Sequence, residues 1–283
     1  MSRPYLRFSL RSVRSSRSAA VVLAHVLVLG AVRLDAQTVS AGGANVAAIQ
    51  GTVDAFRSSL GTLNANVAGT FGSGRREINW DGVPDSFSAP TNLPGNFFNA
   101  NSPRGVGLST PGTGLAVSAK SGVGPVDFGN IDPSYTNTFE PFSAQRLFTA
   151  LGSNIVDVNF FIAGSSTAAF TRAFGVIFSD VDLASTTSLQ FFDGANTSLG
   201  TFFAPTGAFS FLGVTFGSSV VSRVRITSGN TALAADVNDA GNSDLVVMDD
   251  FIYAETVVPE PGTYSLMAAG LLAVAFARRR RQR

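Results

Sequence analysis

The carboxylates are the residues of this chain whose types and spacing can do chemistry. Asp180 and Asp182 stand two apart, so in an extended segment both side chains leave one face, beside a turn at Ser185. Two like charges held that close repel unless a cation lies between them, and calcium, which binds through oxygen alone, is the ion such a pair selects. Asp236-Val237-Asn238-Asp239-Ala240-Gly241 opens like a calcium loop. It departs at the fifth position, Ala240, and at the twelfth, Val247, neither of which supplies a side-chain oxygen, so a solvated turn is expected there. Asp249-Asp250 interrupts the apolar run Leu245 to Tyr253. Adjacent strand residues point to opposite faces, so one of these carboxylates faces inward or lies at a bulge, where it needs a partner: Arg223, Arg225, backbone amides or a cation. Asp81 and Asp85 flank Gly82-Val83-Pro84, where turn capping is the expected role.

Other chemistries are excluded by what the chain lacks. It has no cysteine, and its one histidine, His25, lies in the N-terminal segment expected to be removed. The mature chain then offers neither imidazole nor thiol, which rules out Ser-His-Asp and Cys-His catalysis, Cys/His zinc sites and disulfides. A glycosidase needs two carboxylates about 5 to 9 Å apart. Candidates are Glu77, Glu140, Glu255 and the aspartates, but no spacing singles out a pair. A non-catalytic chain is therefore expected, with a carbohydrate-active hydrolase and a self-associating surface protein as alternatives.

The elements that must position these groups follow from the pattern. Arg3, Arg7, Arg11, Arg14 and Arg17, the apolar stretch Ala19 to Val32, and Leu34-Asp35-Ala36 compose a secretory signal over residues 1–36. Residues 37–74 read as a leader. It is flexible and small up to Ala44, then helical from Asn45 to Leu60, where Val46, Ile49, Val53, Phe56 and Leu60 share one face of a helix packed at the domain edge. Over residues 75–256, short apolar or alternating runs separated by Gly, Pro, Asn and Ser predict an all-β antiparallel sandwich. The runs are Glu77 to Trp80, Leu115 to Ala119, Ile155 to Ile162, Phe174 to Val181, Ser188 to Phe192, Leu199 to Phe203, Phe209 to Phe216, Val220 to Ile226 and Leu245 to Tyr253.

Alternation puts Val156, Val158, Phe160 and Ile162 on one face, and sets Arg223 and Arg225 opposite Val224 and Ile226. Phe160-Phe161, Phe191-Phe192 and Phe202-Phe203 place an aromatic on both faces of a strand. This predicts strands buried on both sides, rather than a sugar-stacking platform, which favours Trp and Tyr. The stretch Pro84 to Thr149 reads as long loops, with Phe97-Phe98, Tyr135, Phe139 and Phe142 folding parts of it onto the sandwich. Between Gln37 and Val258 there are nine basic and seventeen acidic residues, a balance near −8 that argues against nucleic acid or anionic lipid as partner.

The C-terminus, residues 257–283, has three parts: Val258 to Thr263 with Pro259-Glu260-Pro261, an apolar run Tyr264 to Ala277, and Arg278, Arg279, Arg280, Arg281 and Arg283. Fourteen helical residues rise about 21 Å, short of a bilayer core of about 30 Å, which suits a temporary membrane helix better than a permanent one. This order of parts resembles the PEP-CTERM tag of bacterial exported proteins. The resemblance implies recognition of Pro259 to Pro261 by an exosortase after secretion, retention of Arg278 to Arg281 on the cytoplasmic side, and delivery to the cell envelope or an exopolysaccharide matrix. Segments of the body, including Gly74 to Gly82, Asn101 to Gly105, Phe178 to Asp182, Arg225 to Asn230 and Met248 to Phe251, also resemble proteins that carry this tag and have no established activity. That likeness implies a jelly-roll-like domain and transfers no catalytic residue. Jelly-roll carbohydrate-binding modules end in a similar Asp-Asp strand in which one Asp ligates a structural calcium. By that likeness Asp250, on the face of Val246, Met248 and Ile252, is the expected ligand, or Asp249 if a bulge intervenes.

Overall fold

The computed structural model describes residues 35–258, together with Gly270. The expected signal, the Pro259 to Pro261 motif, the membrane helix and the arginines Arg278 to Arg281 lie outside the described residues. Among the described residues no helix is long and apolar enough to cross a membrane.

Among the described residues twelve strands form two antiparallel sheets, an all-β sandwich. The first sheet runs β1 (Gln37–Gly43), β10 (Gly207–Thr215), β7 (Ala173–Val181), β12 (Val247–Ala254), β5 (Phe148–Leu151), β4 (Gly114–Val117), with β2 (Arg75–Ile78) paired to the second half of β12. The second runs β3 (Val106–Ser109), β6 (Ile155–Phe160), β11 (Arg223–Thr227), β8 (Ser188–Phe192), β9 (Ser198–Phe203). Alternation along each strand fills the space between them. Phe174, Val176, Phe178, Leu212 and Met248 of one sheet meet Val156, Val158, Phe160, Phe191 and Ile226 of the other, all buried. These strands and their core lie within the body, which therefore carries its own hydrophobic centre.

Each of the nine predicted runs overlaps a strand, and three strands escape the pattern. β5 has Phe148, Thr149 and Ala150 buried on both faces, so no alternation marks it. β3 is four residues long. β1 corrects the expected flexible leader: Gln37 to Ser40 are exposed on both faces, and the segment is a strand because the free edge of β10 pairs with it from Gln37 to Gly43.

The predicted helix is α1 (Val46–Leu60), N-capped by Asn45, whose Oδ1 accepts from the Ala48 amide at 3.2 Å. It lies across the outer face of the first sheet rather than at the domain edge, burying Ile49, Val53, Phe56 and Leu60 against Ile177, Phe209, Phe211 and Ile252. Two bare glycines make room for it. A Cβ on Gly175 or Gly213 would meet the Phe56 ring at 2.9 and 2.7 Å, so the ring settles on backbone and meets Phe211 edge-on at 5.3 Å. Asn45→Ala is expected to lower stability by about 1 kcal/mol, read from the urea midpoint.

The long loops cover the other half of that face. Phe128, Tyr135 and Phe139 pack on Ala116, Leu147 and Val247, while Phe97 and Phe98 of the short α2 (Phe97–Ala100) close one end of the sandwich core.

Candidate functional site

Asp249 and Asp250 sit where β12 changes partner, from β5 at Met248 to β2 at Phe251, and a bulge between Met248 and Phe251 marks the switch. With Met248 and Phe251 both in the inter-sheet core, the bulge turns both carboxylates to the outer face, beneath α1 and the loop at Phe142-Ser143. Neither points between the sheets: of the two expected arrangements, inward-facing or at a bulge, the chain adopts the bulge. Trp80 braces the turn: its Nε1 donates to the Asp249 carbonyl at 2.7 Å, and its ring stacks on Phe148 at 4.0 Å.

Asp249 is fully buried and accepts from the Phe142 and Ser143 amides at 2.6 and 3.0 Å and from Ser143 Oγ at 3.1 Å. Asp250, 2% exposed, accepts from the Arg57 guanidinium at 2.6 Å and from Ser143 Oγ at 2.8 Å. Burial, and then the Asp250 charge, hold the Asp249 carboxyl well above the usual carboxylate range. Burial also raises Asp250, with the Asp249 and Ser143 hydrogen bonds and Arg57 opposing it. The cation serving this pair is thus the α1 guanidinium, which also meets Glu77 at 3.2 Å. Arg223 and Arg225, the partners considered from sequence, instead share Asp157 at 2.8 Å each on the second sheet.

A second acidic group assembles from segments far apart in the chain. Asp180 takes φ 70° near the end of β7, and Asp182 follows beyond the strand, so strand parity alone does not align them. They converge nonetheless, and Asp239 from the loop before β12 joins them: one carboxylate oxygen from each lies within 4.8 Å of the others. The segment Asp236 to Gly241, expected as a solvated turn, therefore brings a third carboxylate to the Asp180-Asp182 pair.

Asp244, buried and unmarked by any spacing, props the group by accepting from the Asp182 amide at 2.9 Å and from Thr186 Oγ1. The Asp239 Oδ1 accepts from the Leu245 amide at 3.2 Å, while its Oδ2 is buried with no hydrogen-bond partner. Among the described residues no lysine or arginine pairs with Asp180, Asp182 or Asp239. Burial first, then Asp239 and Asp182, push the Asp180 carboxyl up to about 8. Tyr135 ties the contributing loop down through the Ala234 carbonyl at 2.8 Å.

The other carboxylates are mostly neutralised. Glu255 is buried against Arg76 at 2.9 Å, and Glu77 lies between Arg57 and Arg75. Asp81 caps the Gln145 and Arg146 amides, a longer-range form of the expected turn capping, and Asp85 pairs with Arg146 and Lys120. Glu140 is exposed, and the nearby Asp127 carboxyl is pushed up to about 6 by burial and by Glu140.

Comparison with known proteins bears on the C-terminus. Residues 257–281 match the PEP-CTERM protein-sorting motif. The chain is thus a sandwich body followed by the tag of an exported protein that an exosortase sorts, with a transient membrane stage in that pathway. No curated protein and no solved structure matches the chain.

Proposed function

For this exported, PEP-CTERM-tagged chain we propose the role of a non-catalytic component of the cell envelope or extracellular matrix, stabilised by a structural calcium and associated with exopolysaccharide. The observation that carries the calcium assignment is the convergence of Asp180, Asp182 and Asp239, met by no lysine or arginine among the described residues, around a buried Asp239 oxygen that no amide or hydroxyl meets; the Asp180 carboxyl, hydrogen-bonded to Asp239, holds the proton that calcium displaces. Three carboxylates gathered at that range repel, and calcium replaces the repulsion with coordination by hard oxygen ligands. The Asp249-Asp250 pair, matched by Arg57 and amide donors, serves the fold instead.

Calorimetry of residues 35–258 with calcium and with chelator tests this. At a hundred times Kd the expected gain is about 2.7 kcal/mol, a Tm rise of roughly 5 to 10 °C that disappears in Asp180→Asn/Asp239→Asn. Calcium competes with the proton on Asp180, so the gain is expected to be larger at pH 9 than at pH 6. An unchanged melting temperature on adding calcium ends the assignment.

Two observations favour other roles. Asp127 beside Glu140 is the acidic pair left to a hydrolase, and release of sugar from host polysaccharide would establish it. The β1 edge, Gln-Thr-Val-Ser-Ala-Gly-Gly, carries no charge or proline to block strand pairing, and concentration-dependent sedimentation would reveal self-association.

A further inference from the structure

The paired phenylalanines do not lie under a second layer. Phe160 and Phe191 point into the core and Phe202 packs against it, but Phe161, Phe192 and Phe203 emerge on the outer face of the second sheet, with Phe203 52% exposed. Strand register aligns that face in rows. Gly107, Asn159, Arg223 and Phe192 stand side by side across β3, β6, β11 and β8, and Ser109, Asp157, Arg225, Gln190 and Thr201 form the next row. The Arg223 guanidinium lies 3.7 Å from the Phe192 ring centroid and donates to Asp157 at 2.8 Å, so planar side chains are locked flat on the sheet.

At the β3 end the face deepens into a groove of about 610 Å³, lined by Asn96, Asn99, Gly107, Asn159, Phe161 and Ser166 among others, with no charged residue in its lining. Gly107 lets the aromatic down: a Cβ there would meet Phe161 Cε2 at 2.9 Å, so the ring rests on bare backbone. Asn99 is fixed by donating to the Ser165 carbonyl at 2.7 Å and accepting from the Gly164 amide at 3.0 Å, which leaves one amide hydrogen for a ligand.

We infer that this groove, continuing onto the row Asn159, Arg223 and Phe192, is a binding site for a neutral glycan. A sugar ring offers an apolar C–H face and a rim of hydroxyls that both donate and accept. Its complement is an aromatic floor flanked by amides and hydroxyls, set in a concave, mostly apolar site with a few fixed polar groups. Charge selects the neutral class. The groove has no cation to meet a uronate, Arg223 and Arg225 are both engaged by Asp157, and the body as a whole is acidic. The inference rests on the proposed association of the body with exopolysaccharide and assigns that association its site.

The test is a printed array of neutral hexose and pentose oligosaccharides and of uronate oligosaccharides, probed with residues 35–258 and followed by titration calorimetry on the best neutral binder. Asn159→Ala removes a side-chain amide, and Ser166→Trp, at an exposed position, fills the groove. Each is expected to weaken binding about tenfold or more without moving the melting temperature. Binding to no neutral glycan, binding to uronates alone, or affinities unchanged in both variants overturns the assignment. Reducing ends released from a bound neutral oligosaccharide would keep the groove and overturn the non-catalytic reading, so the two fail separately.

Discussion

Arg76→Ala is expected to lower the unfolding free energy by about 3 to 5 kcal/mol, because it strands Glu255 as a buried, uncompensated carboxylate. Arg76 is fully buried and its guanidinium is spent on two tasks. Its Nε donates to both Glu255 oxygens at 3.1 and 2.9 Å, and its terminal nitrogens donate to the carbonyls of Ala65, Val67, Pro103 and Gly69 at 2.9 to 3.3 Å. One side chain thereby holds the 61–74 loop, the 103 turn and the residue at which the chain leaves β12 toward the sorting tag. Loss of it should drop Tm by about 10 °C in a body of this size. Arg76→Met combined with Glu255→Leu should lose less than either single change, since apolar packing can replace an ion pair when both charges go together. Equal losses in the single and double variants would show that the carbonyl contacts, rather than the uncompensated charge, dominate.

Arg57→Ala is expected to cost about 3 kcal/mol, and the cost should grow with pH. The guanidinium is the cation that meets Asp250 from α1, and its removal leaves Asp250 and Asp249 as a buried acidic pair, while Glu77 keeps Arg75. Asp249 and Asp250 already have raised pKa values, chiefly from burial. Between the ordinary carboxylate value and the raised one the folded state holds more protons than the unfolded state, so stability falls as pH rises through that window. Removing Arg57 takes away a charge that holds the Asp250 carboxyl down, raises it further and widens the window. Urea midpoints at pH 5 and pH 8 should therefore separate the variant from the parent more at pH 8, and Asp250→Asn in the Arg57→Ala background should recover part of the difference. A deficit equal at both pH values would assign the effect to lost helix packing.

Legibility from sequence followed periodicity. β6 and β11 alternate one buried side chain with one wet one, and Val156, Val158, Phe160, Val224 and Ile226 lie inside as that alternation requires. α1 shows spacings of three and four, and the helix is there with Asn45 as its cap. Arg223 and Arg225 mark the wet face of β11 in the sequence, whereas nothing local marks Asp157 as their partner. Ile162 falls outside its strand because β6 ends at Phe160. The doubled phenylalanines depart from their pattern: an apolar residue on both faces predicts a covering layer, whereas here the outward member meets a guanidinium, a glycine or solvent.

Sequence by itself determined the class of this protein. Local order in one dimension is enough for a sandwich built of short alternating strands, for a chain without cysteine whose one histidine, His25, precedes the sandwich, and for a C-terminal tag whose motif, apolar run and arginines must be contiguous to work. Tertiary structure decided which carboxylates meet. Asp180 and Asp182 acquire Asp239 only when β7 lies beside β12 and the preceding loop folds over the sheet end, and Asp249 and Asp250 share a face only because β12 bulges where it exchanges one neighbour for another. Like charges carry no sequence mark of the partner that will compensate them. That partner, Arg57 for one pair and the proposed calcium for the other group, is set by the packing of segments remote along the chain.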